Sequence, residues 1–163
     1  MTDDRSLADA DALRRLEAHY AGMPPAAAMD LRVRDWDGER LALAAPLSVH
    51  VNDKGCAFGG SLASLMTLAA WGLVTLQVEA AGLDADVFVA DSELRYRAPL
   101  FADLVAEARL DEAASWSSFI ATLRARGRAR ATVQATVPLP GGGVATQGRL
   151  RYAAILRTPA LSG

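Results

Sequence analysis

Cysteine is almost absent from this chain. Cys56 is the only one in 163 residues, so no disulfide can close within the chain and a reducing compartment fits. A basic block is also missing: 17 Lys and Arg stand against 19 Asp and Glu, and no nucleic acid partner is expected. The densest basic group, Arg124, Arg126, Arg128 and Arg130, is short. It reads either as a solvated face or as a contact for the phosphate of a cofactor-like substrate. No His, Cys and carboxylate side chains recur at ligand spacing, so no metal is expected. No Gly-x-Ser-x-Gly elbow announces a Ser-His-Asp hydrolase. The amino terminus, Met1-Thr2-Asp3-Asp4-Arg5, lacks the apolar core of a signal peptide behind it, and a cytoplasmic location is expected.

What is present is enough apolar material for one globular domain, 52% of the residues. Ser6 with Asp9 resembles a capping box, and Leu13, Leu16 and Tyr20 form one helical stripe that Pro24-Pro25 stops. Residues 1–25 are therefore expected as a helix and linker packing on a domain of residues 26–163. Met29, Leu31 and Val33 alternate with charged residues, and Asp37-Gly38 suits a type I′ hairpin turn before Leu41 and Leu43. Pro46 ends that strand, and Leu47 to Phe58 reads as an irregular loop.

From Gly55 to Val78 no side chain is charged. The run is long enough to cross a membrane, but Ser61, Ser64, Thr67, Thr75 and Gln77 interrupt it and its flanks lack Lys/Arg asymmetry and aromatic belts. A buried helix over about residues 60–81, closed by Gly82, is expected instead, with no membrane partner. Period-two strands follow. The first carries Phe88, Ala90, Ser92, Leu94 and Tyr96 on one side, and the second runs over 104–110. Two more cover 131–137 and 144–155, the last with a possible bulge at Gly148. Between them, Phe119 and Leu123 ahead of Gly127 predict a short helix, although Phe119, Ala121 and Leu123 would also fit a strand. The strands are expected in meander-like succession, as an antiparallel sheet curled around the apolar helix with open edges that a second copy could cover.

The functional signal is His50-Val51-Asn52-Asp53-Lys54-Gly55-Cys56-Ala57-Phe58-Gly59-Gly60-Ser61 at the mouth of that helix. Two glycines opening a helix leave backbone N–H groups free at the positive end of its dipole, which suits a carbonyl that must become an oxyanion. The segment resembles the hotdog-fold thioesterases, most closely the thioesterase domain that some bacteria carry behind an acetyltransferase domain. That signature reads roughly Asn-x-Asn-x-x-Gly-Thr-x-Phe-Gly-Gly-Ser, followed by a helix containing Trp-Gly. Asn52, Gly55, Phe58, Gly59, Gly60 and Ser61 match it in register, as do Trp71-Gly72 within the helix. Tyr96-x-x-Pro99 and the segment Arg126 to Arg130 are similar too. His50 stands where Asn is usual and Cys56 where Thr is usual. The likeness covers about residues 26–155, and no acetyltransferase domain is expected here.

The resemblance implies an α+β hotdog fold, an antiparallel sheet wrapped around a long central apolar helix, here with an extra N-terminal helix. It also implies hydrolysis of acyl-CoA or acyl-carrier-protein thioesters, with CoA or phosphopantetheine entering as part of the substrate and no other cofactor. A homodimer or dimer of dimers is expected. Gly60 then supplies the N–H that polarises the carbonyl, Asn52 and Thr67 position carbonyl and water, and Asp53 or Asp91 is the base. His50, Phe58, Gly59, Ser61, Ser64, Asp91, Ser92 and Tyr96 are expected around the substrate, with the strand from Val89 to Arg97 lining the pantetheine arm. Relatives with His-Gly-Gly place an acid two turns into the helix, whereas here Phe58 and Thr67 occupy those places and the helix has no acid before Glu79. Plainer roles stay open: Asp53 as a loop or cap residue, Asn52 as a brace for its own loop, Ser61 as a cap, His50 as a satisfied core histidine, Cys56 as a small buried side chain. A non-catalytic acyl-thioester binding module, or more remotely a dehydratase, would use the same cleft.

Overall fold

The computed structural model describes residues 2–158. It opens with α1 (Thr2–Gly22), a short turn α2 (Pro24–Ala27), and a hairpin of β1 (Arg32–Trp36) and β2 (Arg40–Ala45). A single turn α3 (Leu47–His50) leads through a loop to the central α4 (Gly59–Ala80). Then follow β3 (Ala85–Tyr96), β4 (Leu104–Leu110), α5 (Trp116–Arg126), β5 (Arg128–Pro138) and β6 (Val144–Leu156). All six strands form one antiparallel sheet in the order β1-β2-β4-β5-β6-β3. This is the expected hotdog architecture, with an N-terminal helix added.

The sheet wraps α4 because α4 is apolar on nearly every side. Leu65, Met66, Ala69, Leu73 and Val74 are fully buried and meet Leu41, Leu43, Leu104, Val133 and Leu150 from the sheet. By length and composition α4 could cross a membrane, yet its buried residues lie inside this core. Most polar interruptions fall on one stripe: Ser61, Ser64, Thr67 and Thr75 recur at helical spacing with Trp71 among them, while Gln77 faces elsewhere and donates to the Gly38 carbonyl. Helix α1 covers the middle of that stripe. Its Leu16 and Tyr20 are buried against Gly72, where an added Cβ would collide with the Tyr20 hydroxyl and come within 2.9 Å of Leu41 Cδ2. Tyr20 Oη also donates to the Leu68 carbonyl at 2.7 Å.

Several local expectations are corrected. Helix α1 already runs from Thr2, so Ser6 lies inside it rather than capping it. Of Asp37-Gly38 only Gly38 has positive φ, so the hairpin lacks a type I′ turn; Asp37 Oδ1 instead accepts from the N–H groups of Glu39 and Arg40. The strands do not form a simple meander, since β3 crosses to the far edge and pairs with β6 while β4 pairs with β2. A register shift between Val89 and Asp91 turns β3 over, so Val87 and Leu94 pack on the core while Phe88 faces out. Gly148 is no bulge. It pairs in register with Leu94, and a Cβ there would meet the Leu94 side chain and come within 2.9 Å of the Glu93 carbonyl. The segment Ser117 to Arg126, by contrast, is the expected helix, ended by Gly127 at φ 71°.

Candidate active site

The uncovered end of the polar stripe forms a cleft. Helix α1 breaks at Gly22-Met23, Pro24 pre-sets the first turn of α2, and this corner stands off from the start of α4. Between them lies an open cleft of about 780 Å³. Gly60, Ser61, Ser64 and Thr67 form its α4 wall, and Met23, Pro25 and Met29 belong to the opposite wall. No charged side chain lines it among the described residues. It is an apolar slot with a row of hydroxyls and amides along one side.

The loop before α4 aims that end of the helix. Asn52 Oδ1 accepts from the N–H groups of Lys54 at 2.8 Å and Cys56 at 3.1 Å, and the Asn52 N–H donates to the Cys56 carbonyl at 2.8 Å. Gly55 takes φ 84° to close this turn, a conformation a side chain would strain. The loop is then pinned twice, Ala57 N–H to the Leu100 carbonyl and Phe58 N–H to the His50 carbonyl at 2.7 Å. Phe58 becomes the residue before the helix, with extended backbone, and its carbonyl accepts from Ser61 and Leu62. Among the described residues no acceptor is bonded to the N–H groups of Gly59 or Gly60, which are left at the positive end of a 22-residue helix with no acid in its first turn. The exposed Phe58 ring lies over Gly60, 2.5 Å from where a Cβ would stand, so any larger residue there would push the ring aside. Tyr96 Oη donates to the Gly59 carbonyl at 3.1 Å, tying β3 to the same corner.

His50 is buried and engaged at both nitrogens, Nδ1 with Ser61 Oγ at 2.8 Å and Nε2 with the Met29 carbonyl at 2.7 Å. It joins the two walls of the cleft from behind. Thr67 Oγ1 donates to the Ala63 carbonyl at 2.8 Å, while the Thr67 carbonyl accepts from Tyr152 Oη at 2.6 Å. Burial pushes the Tyr152 hydroxyl well above its ordinary range.

The structure thus gathers Phe58, Gly60, Ser61, Ser64 and Thr67 at one cleft, with His50 bonded behind it and Gly59 and Tyr96 beside it. Others are not brought there within one chain. Asn52 spends its oxygen on its own loop. Asp53 is in solvent and paired with Lys54. Asp91 and Ser92 are exposed on β3, and the bond from Arg151 Nε at 2.8 Å holds the Asp91 carboxyl below the usual carboxylate range. The missed features are the wall from Met23 to Met29 and the His50–Ser61 bond. The Pro24-Pro25 pair is the sequence sign of the first, because it stops α1 and turns the chain; nothing periodic marks the second.

A family model described as "Putative thioesterase (yiiD_Cterm)" matches residues 14–153. Among solved structures, a protein of unknown function from Chlorobaculum tepidum is 25% identical, with 88% of this chain and 94% of that one covered and a TM-score of 0.83. A putative thioesterase from Shewanella oneidensis is 24% identical over 89% and 98% of the chains, with a TM-score of 0.79. A thioesterase from Haemophilus influenzae shares the fold at 12% identity, over 92% and 94%, with a TM-score of 0.72.

Proposed function

The chain belongs to the family described as "Putative thioesterase (yiiD_Cterm)", and on that premise we propose that it hydrolyses acyl thioesters of coenzyme A or acyl carrier protein. The observation that carries this reading is the apolar cleft that ends on the unpaired Gly60 N–H. An acyl chain buries its methylenes between the α1–α2 corner and α4, with each CH₂ worth about 0.8 kcal/mol when fully buried. The thioester oxygen takes the Gly60 N–H, whose donation strengthens as that oxygen becomes anionic. Ser64 and Thr67 hydroxyls border the reacting group, and Phe58 closes over it. The pantetheine arm leaves along β3 past Tyr96, which already touches Gly59.

The assembly proposed is a homodimer or a dimer of dimers. Strand β3 is an edge strand of 12 residues with Phe88 and Val89 exposed, and a second copy would cover it. Asp91 would reach a cleft only from such a second copy. Sedimentation at two or four times the 17.2 kDa chain mass supports this, and a monomer at micromolar concentration contradicts it.

A second reading, a binding module without turnover, is favoured by one observation: no carboxylate lines the cleft among the described residues. A panel of acyl-CoA thioesters with free thiol as the readout decides between them. Release above background for at least one chain length supports hydrolysis. Calorimetric binding without release for any chain length supports the module.

A further inference from the structure

Hydrolysis needs a group that takes and returns a proton, and the cleft offers a histidine bonded to a serine. His50 is only 6% exposed, with Nε2 at 2.7 Å from the Met29 carbonyl and Nδ1 at 2.8 Å from Ser61 Oγ. A carbonyl oxygen can only accept, so in the neutral ring Nε2 carries the proton and Nδ1 keeps its lone pair. The Ser61 hydroxyl therefore donates to Nδ1. A hydroxyl bonded to a base, with the base oriented by a third group, is the arrangement of an activated nucleophile; here the orienting group is a neutral carbonyl. Ser61 is the third residue of α4 and lines the cleft next to Gly60. Negative charge forming on its oxygen or on the acyl group sits at the positive end of the helix.

We propose that Ser61 is the nucleophile of this cleft and His50 its base, an assignment that rests on the thioesterase reading. Ser61 Oγ bonds to the thioester carbon while its proton passes to His50 Nδ1, and the Gly60 N–H holds the oxyanion. Collapse breaks the C–S bond, and the thiolate leaves with the proton from His50, so an acyl ester remains on Ser61. Water then attacks that ester and gives its proton to Nδ1. Breaking the C–O bond returns the proton to Ser61 Oγ and frees the acid. Water is the only co-reactant, and no carboxylate is required in the cleft.

The test combines an alkyl fluorophosphonate, a probe for activated serines, with thiol release from an acyl-CoA that the wild-type protein accepts. Peptide mapping is expected to place the label on Ser61. His50→Gln, whose amide can reach the place of Nε2, keeps a donor for the Met29 carbonyl but no base, and is expected to slow labelling by about tenfold or more. Ser61→Ala is expected to lower turnover by about a hundredfold or more with a nearly unchanged melting temperature. If the wild type hydrolyses acyl-CoA while Ser61 stays unlabelled, or if Ser61→Ala keeps turnover within about threefold, the serine is structural and the proposal is overturned while the thioesterase reading stands. Labelled Ser61 without turnover of any acyl-CoA or acyl-carrier-protein thioester overturns the thioesterase reading instead, and neither label nor turnover overturns both.

Discussion

At the start of α4 one missing side chain decides what can approach. Gly60 leaves its N–H open and lets the Phe58 ring lie across it. Proline is tolerated in the first turn of a helix but has no N–H. Gly60→Ala sets the same Cβ against the Phe58 ring but keeps its N–H, so Gly60→Pro is expected to release thiol about a hundredfold more slowly than Gly60→Ala. Equal rates in the two proteins would show that another donor does the work. Gly60, Ser61, Ser64 and Thr67 were readable as one group because helical spacing puts them on one face. The role of Asn52 was half readable: its side chain braces the loop, and that brace presents the glycines without touching the cleft. The His50–Ser61 bond spans a non-periodic loop, and spacing carries no information about which side chains such a loop brings together.

The helix itself is held by two hydroxyls from different elements. Tyr20 on α1 and Tyr152 on β6 donate to the adjacent carbonyls of Leu68 and Thr67. Burial disfavours the phenolate and pushes the pKa of both tyrosines above the ordinary value. The folded state then keeps protons that the unfolded chain releases, so stability is full below about pH 10 and falls as pH rises beyond it. Denaturant titrations at pH 8 and pH 11 check this, and Tyr152→Phe is expected to shallow the decline; a flat profile would contradict it. The α1–α4 crossing makes a second demand. Gly72→Ala places a methyl against the Tyr20 hydroxyl and Leu41, and is expected to cost about 1–3 kcal/mol in a chemical unfolding titration. A neutral result would mean that α1 rides loosely on the core. Helix α4 was legible from its long uncharged run closed by Gly82, and most strands from period 2. The bulge in β3 was not, because the sequence alternates straight through a point where the pairing slips by one.

Across the whole molecule, sheet order was the least legible property. The four strands after α4 read naturally as a meander, yet β3 pairs with β6 at the far edge, a choice made by long-range packing around α4 and not by any local signal. That arrangement gives α4 a sheath and leaves its first two turns facing the α1–α2 corner as the open cleft. The central claim is that this cleft seats a thioester with its oxygen on the Gly60 amide. The most direct measurement is a crystal structure with an acyl-CoA analogue whose sulfur is replaced by CH₂. The account predicts the ketone oxygen within about 2.7–3.2 Å of Gly60 N and the acyl chain between α4 and Met23 to Met29. A ligand seated elsewhere, or one whose carbonyl points away from α4, would contradict it.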